Sequence, residues 1–209
     1  MKPKSYCAII GDINKSRSLP HRAKVQKQFQ RAIDAINKEY KGQISSKFVL
    51  TLGDEFQGLL SSPSESYRIV RRFQDLMGSV PFAFGIGLGI LATPVNPKEA
   101  LGMDGECFHR ARKALETAKK EHRGVVYDFD SPAASLINAL VGLMEVLWGR
   151  LTPRQRRIAQ LSKLYNQKDT ARRLRITPQA VSKAYASTGL KRLQGAESTL
   201  QTYLDSIQP

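Results

Sequence analysis

Acidic residues are scarce in this 209-residue sequence: 18 Asp and Glu stand against 33 Lys and Arg, for a net charge of +15 and an isoelectric point near 10.0. So cationic a chain is expected to have a polyanionic partner. Cysteine is scarce too. Cys7 and Cys107 are far apart in apolar surroundings, which excludes a disulfide framework or a CxxC site and fits a reducing compartment. The three histidines, His21, His109 and His122, have no zinc-ligand spacing. Repeats and low-complexity tracts are absent. The most apolar later stretch, "LINALVGLMEVLW", has 13 residues and contains Glu145, short of the ~20 needed to cross a bilayer. The opening "MKPKSYCAIIGD" has only a brief apolar run ending in Asp12, so no signal peptide and no membrane partner are expected, and the location expected is the cytoplasm.

What is present is an ordinary globular content, 41% hydrophobic and 24% charged, enough to bury a core. The charge is uneven. Residues 131–209 hold 12 Lys and Arg against 4 acids, and between Arg150 and Arg192 the only acid is Asp169. The first 130 residues alternate elements. "SYCAIIGDI" reads as a strand, and "HRAKVQKQFQRAIDAINKE" places Val25, Phe29, Ala32, Ile33 and Ile36 on one helical face. "QISSKFVLTL" and "EFQGLLSS" form a hairpin turning at Gly53-Asp54, and "SPSESYRIVRRFQDLM" is a helix. "VPFAFGIGLGIL" is a strand whose Gly85, Gly87 and Gly89 strip one face of side chains, inviting close packing or a ligand. A helix, "GECFHRARKALETAKKE", and a strand, "GVVYDF", close the region. The order β-α-β-β-α-β-α-β is a ferredoxin-like split βαβ with an added helix and strand. The expected fold class is α+β: a ferredoxin-like βαββαβ domain over residues 1–130, then an all-α domain over 131–209 with a helix-turn-helix at about 152–190.

In that topology the end of the first strand lies beside the hairpin tip, so Asp12 meets Asp54 and Glu55. A Gly-Asp pair at a tip is also what a plain tight turn uses. Two carboxylates gathered at one sheet end repel unless a cation or proton joins them, and hard oxygen ligands suit Mg²⁺ or Mn²⁺ in phosphoryl transfer. Both readings stand at this point. Lys15, Arg17 and Lys47 are the candidate phosphate partners.

"AIIGDINKSR" and "TLGDEFQG" resemble the paired metal motifs of the class III adenylate and guanylate cyclases and of the GGDEF diguanylate cyclases. "FAFGIGLGIL" followed by "DGECFHRARKALE" is similar to their glycine-bearing strand and helix. The resemblance implies a metal site at Asp12 and Asp54 and a nucleotide ligand. It puts Leu50 where class III cyclases carry a base-reading Lys, and His109 and Lys113 where they carry a transition-state Asn and Arg. Leu52 replaces the first glycine of the diguanylate cyclase hairpin. Nearly the whole chain resembles the SatD family, whose members join a palm-like region to a C-terminal helix-turn-helix.

"LTPRQRRIAQL", "NQKDTARRLRI" and "TPQAVSKAYASTG" read as three helices, opened by Thr152-Pro153 and Thr177-Pro178 and stopped at Gly189. They resemble the helix-turn-helix of sigma-factor region 4. That resemblance implies a double-stranded DNA partner, with Gln179, Ser182 and Lys183 toward the major groove. Arg154, Arg156, Arg157, Lys168, Arg172, Arg173 and Lys191 would face phosphates. A three-helix packing or dimerisation module with a basic surface is the alternative. The last helix, Gly195–Ile207, carries Leu200, Tyr203, Leu204 and Ile207 for pairing in a homodimer. Three functions remain open: a DNA-binding regulator with a metal- or nucleotide-sensing palm, an active nucleotidyl cyclase or transferase, and a degenerate palm that only dimerises.

Overall fold

The computed structural model describes residues 4–14, 22–51 and 53–207. Along the chain run β1 (Ser5–Ile13), α1 (Arg22–Glu39), β2 (Ile44–Leu50), β3 (Glu55–Leu60), α2 (Ser66–Met77), β4 (Phe82–Ile90), α3 (Glu106–Lys120) and β5 (Val125–Asp128). Then come five helices: α4 (Ala133–Arg150), α5 (Pro153–Ser162), α6 (Gln167–Leu174), α7 (Pro178–Thr188) and α8 (Leu190–Ser206). This is a mixed α+β chain with one five-stranded sheet, ordered β2-β3-β1-β4-β5. It divides into two compact units, one formed by Met1–Asn138 with Gln201–Pro209 and the other by Ala139–Leu200.

In the sheet unit β1 is central and antiparallel to both β3 and β4, while β4 and β5 run parallel. Alternation along β1 decides what each face meets. On one face Phe56, Phe82 and Phe84 pack with Phe29 of α1 and Phe73 of α2, with Phe56 stacked on Phe73 at 4.6 Å. On the other, Ala8, Ile10 and Leu59 pack with Ala111, Ala114, Leu115 and Ala118 of α3.

The glycine row of β4 resolves in favour of close packing. A Cβ on Gly85 would sit 2.0 Å from the Ala111 carbonyl oxygen, and one on Gly87 would sit 2.2 Å from both the Ala111 nitrogen and the Cys107 oxygen. Backbone against backbone at this range admits no side chain, so the glycines let α3 lie directly on β4. The β2–β3 hairpin closes through Gly53, at φ +61°, and a Thr51 N–H to Glu55 carbonyl bond of 2.9 Å. Leu52 lies outside the described residues.

The helical unit is built by its caps. Thr152 and Gln155 form a reciprocal capping box on α5, with Pro153 in the first turn. Asn166 accepts from the Asp169 N–H at the start of α6, and Thr177 accepts from Ala180 at the start of α7. Between α6 and α7 lie only Arg175, Ile176 and Thr177, with Arg175 left-handed at φ 53°. Ile158, Ala171, Val181 and Ala184 form the core, flanked by Leu174, Ile176 and Tyr185.

The last helix, α8, begins at Leu190; of the four residues expected to pair in a homodimer, Leu200 and Leu204 are buried within the chain itself, while Tyr203 and Ile207 are half-buried. Among the described residues no helix is long and apolar enough to cross a membrane.

Candidate functional site

Antiparallel register does what the topology promised. Asp12 is the partner of Glu55 across β1 and β3, and the Ile13 N–H donates to the Asp54 carbonyl at 3.0 Å. Asp12 alternates with Ile10 and Ala8, so its side chain leaves the sheet on the α3 face; Glu55, opposite it, does the same. Asp12 and Glu55 therefore share one sheet end, and Asp54 is near enough for its charge to act on Asp12.

What neutralises them comes from α3, a helix from which the sequence reading drew no ligand here. Arg112 grips Glu55 with both guanidinium nitrogens, at 2.5 and 2.8 Å, and Thr51 adds a hydroxyl bond of 3.1 Å. Lys119 pairs with Asp12. Arg112 and Lys119 are seven residues apart, two helical turns, beside the buried Ala111 and Ala118. That i, i+7 spacing was the available signal. It became readable only once the β4 glycines fixed which side of α3 meets the sheet.

The two acids differ. Burial pushes the Asp12 carboxyl above its usual range, and the charges of Asp54 and Glu55 add to this, while the bond and charge of Lys119 oppose it. Burial also acts to raise Glu55, but the hydrogen bonds and charge of Arg112, with Thr51 and Lys119, outweigh it and hold the group below the usual range. Asp12 is thus a carboxylate short of positive charge, even with a lysine attached.

His109 and Lys113 occupy the neighbouring face of α3. His109 Nε2 lies 3.0 Å from Asp104 and the Lys113 ammonium 3.4 Å from Asp128. With Arg110, Phe129 and Asp130 they line a shallow cavity of about 310 Å³. Lys47 is exposed on β2, at the edge of the sheet, and its backbone N–H donates to Pro97. The acids take their cations from α3 instead. Lys15 and Arg17 lie outside the described residues.

In the helical unit, α7 turns Val181 and Ala184 inward and leaves Gln179, Ser182 and Lys183 exposed. Arg154, Arg156, Arg157, Lys168, Arg172, Arg173 and Lys191 are exposed as well. Arg172 pairs with Asp169 at 3.3 Å, and the Arg173 guanidinium stacks 3.8 Å over Tyr165. Arg154, Arg156, Lys168, Lys183 and Lys191 make no ion pair among the described residues.

A five-stranded sheet whose central strand ends in a carboxylate, backed by a cation-bearing helix, defines the structural class. Over residues 6–200 the sequence matches the SatD family, and the chain belongs to it. Comparison with curated proteins gives no match. Among solved structures, the guanylyl cyclase domain of the RhoGC fusion protein from Blastocladiella emersonii is 15% identical. It covers 55% of this chain and 74% of its own, at a TM-score of 0.42. The guanylate cyclase domain of RhGC from Catenaria anguillulae, in complex with GTP, is 15% identical over 55% and 73%, at 0.38. A bacterial light-regulated adenylyl cyclase is 13% identical over 66% and 81%, at 0.44. Each TM-score is below 0.5, so the chemistry has to be read from this chain's own residues.

Proposed function

We propose that the sheet unit is a nucleotide-binding palm of nucleotidyl cyclase or transferase type, taking a divalent cation and the phosphates of a nucleotide at Asp12 and Asp54. The observation that supports it is the register that sets Asp12 opposite Glu55 at the α3 face, with the Asp54 backbone bonded to Ile13 beside them and the Asp54 charge acting on Asp12. Among the described residues no group of three or more His, Cys, Asp or Glu side chains is placed to hold a metal by itself. Mg²⁺ is commonly held by one or two carboxylates together with substrate phosphates, the role this reading gives to Asp12 and Asp54. The donor set fits, being all oxygen and including an Asp12 whose ionised form lacks compensation. Bound Mg²⁺ or Mn²⁺ would polarise a phosphoryl oxygen and offset developing charge.

The chain's own residues do the rest. Glu55 is held by Arg112 and Thr51 and anchors the hairpin tip, while Lys119 is the α3 cation beside Asp12 and the group best placed to pass to a phosphate. His109 and Lys113 lie toward the other end of α3 from Lys119, paired with Asp104 and Asp128, and so do not serve the Asp12 end; Leu50 leaves the base without the lysine that reads it in class III cyclases. Incubation with Mg²⁺ or Mn²⁺ and each nucleoside triphosphate, followed by chromatography, tests the reading. A cyclic or pyrophosphate product that disappears in Asp12→Ala and Asp54→Ala supports it. No product under any condition ends the enzyme reading. Calorimetry of metal–nucleotide binding then separates a sensor from a palm that serves only to pair copies.

A second reading concerns the helical part, residues 131–209 in our proposed division, which we read as a double-stranded DNA-binding module of helix-turn-helix type. The observation favouring it is the three-residue α6–α7 connection with left-handed Arg175, and an α7 that keeps Val181 inward and Gln179, Ser182 and Lys183 outward. The two readings join in a regulator whose palm senses a nucleotide. A salt titration of duplex binding checks the module: unchanged affinity in Arg172→Ala and Lys183→Ala would remove it.

A further inference from the structure

Six large apolar side chains are exposed among the described residues, and three of them, Leu136 (73%), Leu143 (67%) and Val146 (51%), belong to α4. Leu140 and Leu147 are half-buried on the same helix. Leu136, Leu140, Leu143 and Leu147 are spaced four, three and four, the a/d repeat of a coiled-coil seam. Ile137, Val141, Met144 and Trp148 have the same spacing one residue further on and are buried. The helix is thus apolar on two adjacent faces, its polar residues being Ser135, Asn138, Glu145 and the terminal Arg150. One apolar face is covered by the chain, and a helix apolar nearly all round has both covered in its working state.

We infer that the second face of α4 is a self-association surface, a leucine seam that pairs with the same helix of a second copy. Its charge pattern selects that occupant. On a chain of net charge +15 most surfaces repel a second copy, but the seam from Leu136 to Leu147 holds no charge, and the only ionisable group in that span, Glu145, points elsewhere. An acidic partner would be drawn to the basic surfaces and not to this stripe. Interfacial membrane helices line their polar face with Lys and Arg, whereas α4 has only Arg150, in its last turn. A leucine row is self-complementary about a twofold axis, so one pattern supplies both sides of the contact.

The seam is short. Twelve residues span roughly 18 Å at 1.5 Å each, little more than three helical turns, too few side chains to bury by themselves the ~800 Å² per partner of a standard interface. A dimer held by this seam is therefore expected in the micromolar range. The inference is independent of nucleotide or DNA binding.

Sedimentation equilibrium of the full chain is expected to show a reversible monomer–dimer equilibrium, shifted at least tenfold toward monomer by Leu143→Lys, with helix content by circular dichroism unchanged. Should the lysine variant misfold, cysteine placement decides. Cys7 and Cys107 are buried, so Leu143→Cys supplies an accessible thiol, and Leu164→Cys, at a side chain 74% exposed on the helical unit, is the control. A short bis-maleimide is expected to link Leu143→Cys into dimers much faster than Leu164→Cys. A chain that stays monomeric at 200 µM, equal linking of the two variants, or a dimer indifferent to Leu143→Lys would overturn the inference. Vesicle flotation that depended on Leu143 would reassign the seam to a lipid surface.

Discussion

The two units use charge in opposite ways. At the sheet end, buried and half-buried acids meet cations of α3, Glu55 with Arg112 and Asp12 with Lys119. In the helical unit, most basic side chains stand exposed, and several have no acidic partner among the described residues. Matched, half-buried charge fixes geometry and can be released to a ligand. Unmatched, exposed charge fixes nothing in the fold and is available to a polyanion. Salt and point mutation should therefore act differently on the two units.

The largest difference is expected from salt. If the helical unit contacts six to ten phosphates, its affinity for duplex DNA falls by about 10³–10⁵ between 50 and 200 mM salt. Metal–nucleotide binding to the sheet unit is expected to change far less over that range, and calorimetry in the two buffers checks it. Next is Gly87→Val. With backbone atoms of Cys107 and Ala111 at 2.2 Å from even a Cβ, α3 must leave β4, at a cost of at least ~3 kcal/mol in urea denaturation and with loss of the site.

Glu55→Gln is expected to be milder. It deprives Arg112 of its charged partner, but Arg112 is partly exposed, so the loss is about 1–2 kcal/mol. Asp12→Asn is the smallest in stability, within ~1 kcal/mol, because removing a charge that burial disfavours offsets the lost lysine pair. It should still abolish metal–nucleotide binding.

Their pH dependences run in opposite senses. Glu55 is lowered in the fold, so its contribution is present above the ordinary Glu value of ~4.3 and is lost as pH falls through its folded value. Asp12 is raised, so its ionised form costs stability once pH rises through its folded value, and the difference between wild type and Asp12→Asn should shrink toward pH 4. Metal affinity should weaken as pH falls through that same raised value, because proton and cation compete for one carboxylate. Thermal melts and calorimetry between pH 4 and 8 check both signs.

How far the sequence could be read follows from what each signal depends on. The strand and helix order, the hairpin and the caps at Thr152 and Thr177 depend on local chemistry and were legible. The meeting of Asp12 with Asp54 was legible because antiparallel topology leaves few alternatives. Arg112 and Lys119 were not, since a helix with cations on several faces does not announce which of them faces the sheet. Gly85 and Gly87 held that information as a choice between ligand and packing, and only coordinates made the choice. α8 was ambiguous for a related reason. Leu200 and Leu204 have the same spacing whether they bury at home or against a partner, and here they bury at home. The leucines of α4 that remain uncovered were read first as part of an apolar helix alone.

Mn²⁺ titration followed by electron paramagnetic resonance, with and without a nucleoside triphosphate, tests the central claim most directly. Wild-type protein should remove free Mn²⁺ signal more strongly when nucleotide is present, and Asp12→Asn and Asp54→Asn should each lose that increment while remaining folded. An increment equal in wild type and both variants would mean that the acids of β1 and the hairpin hold no metal–nucleotide, and that their pairing with Lys119 and Arg112 is structural.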